Sequence, residues 1–537
     1  MVQSVKKILC FILMGVIFSG CSMIQNPQDE SEVMQNNKQL SSQETEESSK
    51  VVENSIKIPM DSPLTLHPIY NTKKSVEQTL YLLFEPLVII KEDGSIMPNI
   101  AKTWEINESQ NIIVLTIQDN IKWHDGTVLS TEDIAFTLDA IKSAPESAYR
   151  QATDNLVSTE IFNNTTMKLI YKQPFSNVEA TLFFPVIPKH IYNVPKEEAI
   201  ILNPVGSGPY KYDSMIPLKY LNLVANSDYF KSVPQISNIK VVIVPNQEAA
   251  LSAFEQGLID VAYTNIMEWG KYAKDKNATP HELTSNVYEF IGLNFNKPLF
   301  QNKNIRKAMV YGLDREKMVY VYYLGHAEVT DTPISPKNYL FNRNLGIKDY
   351  DKEEAKLLLM QEGYEKSGLD STFTKEGNPL AFSLLVNNEN TERIKVAKEI
   401  QKMYAEVGIQ VNIEEVDKET YLSRIYAKQY DAFLGGWQLS YALDLSFAFH
   451  SSEILAGDNF ISYKDEKMDT LLSQMFLAND TTKVSVYSSF QEYFSEQNPY
   501  ISLYFKNEVL LTKNKIKGNI HPTPTHIYND IQLWQVK

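Results

Sequence analysis

The sequence of 537 residues predicts an α/β fold divided among two or three domains. Two observations carry that expectation. Short apolar runs with strand character alternate with helical stretches, the pattern of lobes built on largely parallel sheets. The folded stretch also exceeds what a single hydrophobic core can serve. No internal repeat of about 20–50 residues marks a solenoid or propeller.

The elements follow in order. Ser55–Ile58, ahead of Pro59, reads as a first strand, and Ser75–Leu83 has helical character. Ile112–Ile117 is rich in β-branched residues. Thr131–Lys142 reads as a helix with Ser130 or Thr131 as N-cap. Ile239–Val244 is a nearly continuous apolar run, the signature of a strand buried on both faces. Gln247–Gln256 is expected as a helix ending at Gly257, and Ile259–Ala262 as a strand, together a β-α-β unit. The pattern returns with strand Leu384–Val386. Helix Thr391–Val407 carries Ile394, Ala397, Ile400 and Tyr404 on one stripe, and Gly408 stops it. Ile409, Val411 and Ile413 alternate as a strand, Glu419–Lys428 is helical, and Tyr430–Leu434 closes the series. Ligands of open α/β sheets sit at the carboxyl ends of strands, which directs attention to Gly435-Gly436-Trp437.

The N-terminus carries an address. Lys6-Lys7 precede the apolar run Ile8–Phe18, which Ser19-Gly20-Cys21 follows. This is the basic, apolar and small-residue order of a secretory signal. The run makes a helix of only about 16 Å at ~1.5 Å per residue, too short to span a ~30 Å hydrocarbon core. Ser19-Gly20-Cys21 resembles the bacterial lipoprotein box, which implies a signal peptide over 1–20 and lipid attachment at Cys21. Phe18 stands where that box usually has leucine. Residues 21–54 are polar and acidic, with seven acids against two lysines after Cys21, and read as a disordered tether. The only other cysteine, Cys10, lies inside the signal, so the mature chain has no partner for a disulfide.

The whole-chain charge of −15 argues against nucleic acid or an anionic membrane as partner. The eight histidines are dispersed, without an H-E-x-x-H or Cys/His cluster, so no metal centre is expected. No glycine-rich phosphate loop occurs and no cofactor is expected. Gly206-Ser207-Gly208 lacks the flanks of a nucleophile elbow and reads as a tight turn. His124-Asp125-Gly126 likewise reads as a turn with a structural histidine. Arg306 and Asp314 are expected to form a surface or inter-element ion pair. An enzyme is not expected.

Motifs spread along the chain resemble one family. Pro98, Ala101 and Trp104, then Trp123-His124-Asp125-Gly126, then Glu132-Asp133-Ile134 are similar to its P-x-x-A-x-x-W…W-H-D-G…E-D-V signature. Pro204-Val205-Gly206-Ser207-Gly208-Pro209-Tyr210 resembles its P-V-G-T-G-P-Y turn. Asn226…Tyr229-Phe230, Gly257…Asp260, Asn296…Phe300, Ile305-Arg306…Ala308, Asp314-Arg315 and Tyr430-Asp431…Gly436-Trp437 follow in the same order. The family is the extracellular solute-binding proteins of type 5, the oligopeptide, dipeptide and nickel receptors of ABC importers.

That resemblance implies a two-lobed, periplasmic-binding-protein-like fold of class II, cluster C type, closing on ligand about a two-stranded hinge. The first lobe is then 55–82, 201–286 and 510–537, with an extra subdomain inserted at 83–200, and the second lobe is 287–509. It implies a monomeric lipoprotein outside the cytoplasmic membrane that delivers peptides to permease subunits. A nickel chelate or other non-peptide solute, and a peptide-pheromone signalling role, remain alternatives. For the ligand site it points to Gly436, Trp437 and Gln438, with the position three after Trp437, usually Asp, as anchor for a peptide amino terminus. Here that position is Ser440. Asp444 is the nearest acid downstream, as substitute anchor or as helix cap, and Asn296 is a further candidate, as ligand or as loop cap. Lys73 and Lys74 are expected chiefly in solvent, with a ligand carboxylate as the alternative partner.

Overall fold

The first strand runs straight through Pro59, from Ser55 to Asp61. It can do so because it is the edge of a four-stranded sheet, paired only with Asn238–Val244, and an edge strand tolerates a missing donor. The computed structural model describes residues 54–537 apart from 175–176, 267–268, 271, 273–275 and 367–371. The signal, Cys21 and nearly all of the tether expected from the sequence lie outside the described residues. Asn54 belongs to the folded part: its Nδ2 donates to Gln235 O at 2.6 Å and to Ser237 Oγ at 3.1 Å.

Three sheets organise residues 54–537. The first takes its strands in the order 55–61, 238–244, 220–225 and 210–216. The second, of four antiparallel strands, is ordered 101–106, 112–117, 166–171 and 156–163. The third has seven strands, with 261–264, 500–513, 278–293, 432–438, 381–387 and 410–416 in sequence across it and 327–329 beside 500–513.

The sheets are mixed rather than largely parallel. In these three sheets parallel pairing joins 55–61 to 238–244, and 381–387 to both 410–416 and 432–438. The last two pairings are the helix-crossover units that the alternating pattern predicts. The other ladders are antiparallel, above all the two long strands Ala278–Leu293 and Tyr500–Lys513, along which the chain runs out and returns. The expected β-α-β unit around Gln247–Glu255 is also divided: Asn238–Val244 joins the first sheet and Val261–Thr264 the third. Asn238–Val244 alternates buried and half-buried positions, so one face is covered less fully than its continuous apolar run implied.

Helix ends follow local chemistry. Ser130 and Asp133 form a capping box, with Ser130 N–H donating to Asp133 Oδ2 at 2.9 Å. Helices Gln247–Glu255 and Thr391–Glu406 are followed closely by Gly257 and Gly408, both in the left-handed region at φ +73° and +87°. The Gly206-Ser207-Gly208 turn lies flat on the backbone: a Cβ on Gly206 would sit 1.9 Å from Leu83 O. His124 locks it. Its Nδ1 accepts from Gly206 N–H at 3.1 Å while Nε2 lies 3.1 Å from Gly208 O, and burial holds the imidazole down to about 4 and therefore neutral. Ser207 is buried, and its hydroxyl meets no base among the described residues.

Arg306 and Asp314 do not pair. Arg306 is buried and donates to the carbonyls of Phe300, Gln301 and Gln497, whereas Asp314 caps helix Arg315–Tyr323 through Lys317 N–H. The ion pair sits one residue on, between Arg315 and Asp331 at 2.7 Å.

Candidate functional site

A cavity of about 990 Å³ opens where the first and third sheets meet the loops around them. Its walls come from the end of the first strand at Met60-Asp61, the turn and helix start at Asn71–Gln78, and Tyr149–Ala152. Tyr263, Asn265, Ser285–Val287, Gln438–Tyr441 and Glu508 form the rest of the wall described here.

Local irregularity makes these walls. The ladder between the two long strands jumps from Thr284↔Asn507 to Tyr288↔Phe505, so Ser285, Asn286 and Val287 bulge out of it. The bulge is pinned rather than loose. Ser285 Oγ donates to Lys506 O at 2.8 Å, and Leu439 N–H donates to Asn286 O at 2.9 Å. The exit of strand Ala432–Gln438 is thereby held against the bulge, and Gln438, Leu439, Ser440 and Tyr441 turn into the cavity.

Charge in the cavity wall is unbalanced, with Asp61, Glu77, Glu248 and Glu508 against Lys73 and Lys74. The lysines are engaged: Lys73 Nζ donates to Ser62 O at 2.8 Å, and Lys74 lies 2.9 Å from Glu77. The Glu77 carboxylate also lies within hydrogen-bond distance of the hydroxyls of Tyr81 and Tyr149, at 3.2 and 3.1 Å. Burial first, then these neighbours, pushes both phenols well above their usual range. Glu508 is 9% exposed; Tyr263 O–H donates to its Oε2, and the Asn265 side chain bonds it too.

The residues singled out in the sequence separate into three groups. Gln438 and Ser440 line the cavity, as do Lys73 and Lys74. Ser440 Oγ accepts from Ala442 N–H at 3.0 Å and from Gln151 Nε2 at 3.1 Å. Gly436 and Trp437 stand behind the exit, on opposite faces of the strand. Gly436 packs on a buried ion pair, where a Cβ would lie 2.6 Å from Arg393 Nη2 and 2.7 Å from Glu289 Oε1. Trp437 stacks on Phe290 and Phe460, meets Phe447 edge-on at 5.0 Å and donates to Tyr500 OH at 3.3 Å.

Asp444 and Asn296 lie elsewhere. Asp444 is exposed beside a separate cavity of about 210 Å³, and its Oδ1 accepts from Ser446 N–H at 2.9 Å in the turn ahead of helix Ser446–Phe449, whose N-cap is Leu445. Asn296 follows Leu293, roughly 20 Å along the strand from Val287 at ~3.3 Å per residue. It donates to Ser462 Oγ at 3.1 Å.

Glu77, Tyr149, Tyr263 and Asn265 are cavity residues that the sequence reading missed, since they belong to no motif. Glu508 had a signal: Lys506-Asn507-Glu508 interrupts an apolar run that resumes at Val509-Leu510-Leu511, in a strand buried almost throughout.

The family described as bacterial extracellular solute-binding proteins, family 5 Middle, matches residues 95–452. The chain belongs to this family. Family 5 is a family of non-enzymatic solute-binding proteins. Among relatives, the oligopeptide-binding protein AppA of Bacillus subtilis is 27% identical over 492 residues, 88% of this chain and 90% of that protein. The nickel-binding periplasmic protein of Escherichia coli is 25% identical over 384 residues, 70% and 72% of the two chains. The structure of AppA from Bacillus subtilis in complex with a nonapeptide aligns with a TM-score of 0.64 at 24% identity, covering 90% of this chain and 99% of that one. The fold of this family 5 protein is therefore the mixed α/β architecture of cluster C solute-binding proteins. Among the described residues no helix is long and apolar enough to cross a membrane.

Proposed function

We propose that this protein is the receptor of an ABC importer, tethered through a lipid on Cys21, and that it captures peptides in the cavity between two lobes. The observation that carries the peptide reading is the cavity itself. At about 990 Å³ it stands at the upper end of small-ligand pockets, which span roughly 300–1,000 Å³. Its wall offers amides, hydroxyls and the exit of a strand, the groups that pair with an extended backbone and leave side chains to pockets. The similarity to an oligopeptide-binding protein over most of both chains supports it.

On this reading the two lobes keep the boundaries that the family resemblance implies. Breaks at 286/287 and 509/510 fall inside the long strands Ala278–Leu293 and Tyr500–Lys513, and the first of them lies in the Ser285–Val287 bulge. Such a bulge is a ready place for the hinge to bend. Contacts from the inserted subdomain to the second lobe support closure over ligand. The buried Lys483 Nζ lies 3.2 Å from Glu179 and 3.1 Å from Asn177 Oδ1, and Asn177 Nδ2 donates to Ala442 O at 3.2 Å.

Similarity to the Escherichia coli nickel-binding protein favours a second reading, a nickel chelate. Calorimetric titration separates the two. An equimolar pentapeptide mixture is expected to give saturable binding, and nickel(II)–histidine complex none. Saturable binding of the nickel complex alone would replace the peptide reading.

A further inference from the structure

The cleft must meet the positive charge of a peptide somewhere other than at the position the family uses. Ser440 carries no charge and is engaged with Gln151 and Ala442, and Asp444 faces a different cavity. Carboxylates face the cleft from partly or fully buried positions, Glu77 half-buried and Glu508 buried. Glu77 already holds Lys74 at 2.9 Å and two phenol hydroxyls. Glu508 is different. Among the described residues no lysine or arginine lies within 4.0 Å of it; its partners are the neutral Tyr263 and Asn265.

A carboxylate has about four acceptor sites, so two donors leave room for more. Burying such a group without a counter-charge is unfavourable, and an incoming cation relieves that penalty. Burial pushes the Glu508 carboxyl up, against Tyr263, Asn265 and the fields of Lys74 and Lys506. Tyr441, on the strand exit, stands near enough for Glu508 to raise its phenol further after burial has done so. Tyr263 and Tyr441 line the same cavity as Glu508, and aromatic side chains there favour a cation.

We propose that Glu508, framed by Tyr263, Asn265 and Tyr441, is the specificity-determining residue of the cleft and pairs with an alkylammonium group of the bound ligand. This rests on the peptide reading above. The ammonium is a peptide amino terminus or a lysine side chain, and the long returning strand supplies its anchor in place of the loop after Trp437.

The test uses the mature protein and three equimolar pentapeptide mixtures: free amino termini without Lys or Arg, the same N-acetylated, and N-acetylated with one lysine. Wild type is expected to favour one of the cationic mixtures over the neutral one by about 30-fold or more, the scale of losing one partner of a buried charge pair. Which mixture is favoured identifies the source of the ammonium. Glu508→Gln is expected to abolish that preference, lowering affinity for the favoured cationic mixture by about 30-fold or more. A preference that survives in Glu508→Gln overturns the proposal and leaves the peptide reading standing. Absence of binding by wild type to every mixture overturns both. If Glu508→Gln does not fold, as judged by circular dichroism, Glu508→Asp draws the charge back by one methylene and is expected to weaken the preference. An unchanged preference there overturns the assignment.

Discussion

Arg315→Met is expected to lower the free energy of unfolding by about 3–5 kcal/mol, the scale of breaking a buried ion pair. The Arg315 and Asp331 side chains are 2% and 3% exposed, 2.7 Å apart. Arg315 also donates to the carbonyls of Thr330 at 2.8 Å, Ser502 at 3.1 Å and Lys348 at 2.8 Å. Its removal strands those acceptors and leaves Asp331 with Lys348, whose N–H donates at 2.7 Å but whose ammonium is 3.9 Å away. The guanidinium joins three separate stretches of chain, so the loss propagates into the long strand that carries Ser502 and Glu508. Urea unfolding followed by circular dichroism measures it. The neighbouring Asp314→Ala supplies the scale, because loss of an N-cap costs only about 0.5–2 kcal/mol. Equal effects of the two substitutions would contradict the structural weight given to the buried Arg315–Asp331 pair.

Glu289→Ala is expected to destabilise the fold by a similar amount, about 3–5 kcal/mol. Glu289 is 2% exposed and takes both arms of Arg393, at 2.8 and 2.9 Å, with Lys506 at 3.7 Å. Lys506 retains Glu392 after the substitution, whereas Arg393 loses its bidentate partner. This network lies beneath Gly436 and one residue from the Ser285–Tyr288 irregularity, and so supports the strand that leads to Gln438. Gly436→Ala tests the same packing from above and is expected to cost about 1–3 kcal/mol, the usual penalty for overpacking. Chemical denaturation of both variants checks the pair. A neutral Glu289→Ala would remove the network from the account.

Much of this architecture was legible in the sequence, and the gaps have physical causes. Amphipathic helices with clear stops, such as Thr391–Glu406, and crossover strands such as Ala381–Asn387 follow from local periodicity. The long strand Ala278–Leu293 did not, because Pro280, His281, Glu282 and Asn286 interrupt any alternation. Its environment changes along its length, from the returning strand to the bulge and then to two paired neighbours. Periodicity could not show that Asn238–Val244 and Val261–Thr264 enter different sheets, since their connecting helix looks like any crossover.

The cavity wall was legible where it coincides with the strand exit, at Gln438 and Ser440. A motif marks a place in the chain and not the face on which a side chain emerges, and Gly436 and Trp437 serve the packing behind that exit. Residues Glu77, Tyr149, Tyr263 and Glu508 converge from distant positions through the sheet arrangement, which no local spacing encodes.

Capture of peptides in the cleft is tested most directly by the molecules that the purified protein carries. Protein purified without denaturant is unfolded in acid, and the released small molecules are read by mass spectrometry. Short peptides in stoichiometric amount, absent when the cleft is filled by Ser440→Trp, are the predicted result. Release of a metal chelate or a sugar, with no peptide, would contradict it.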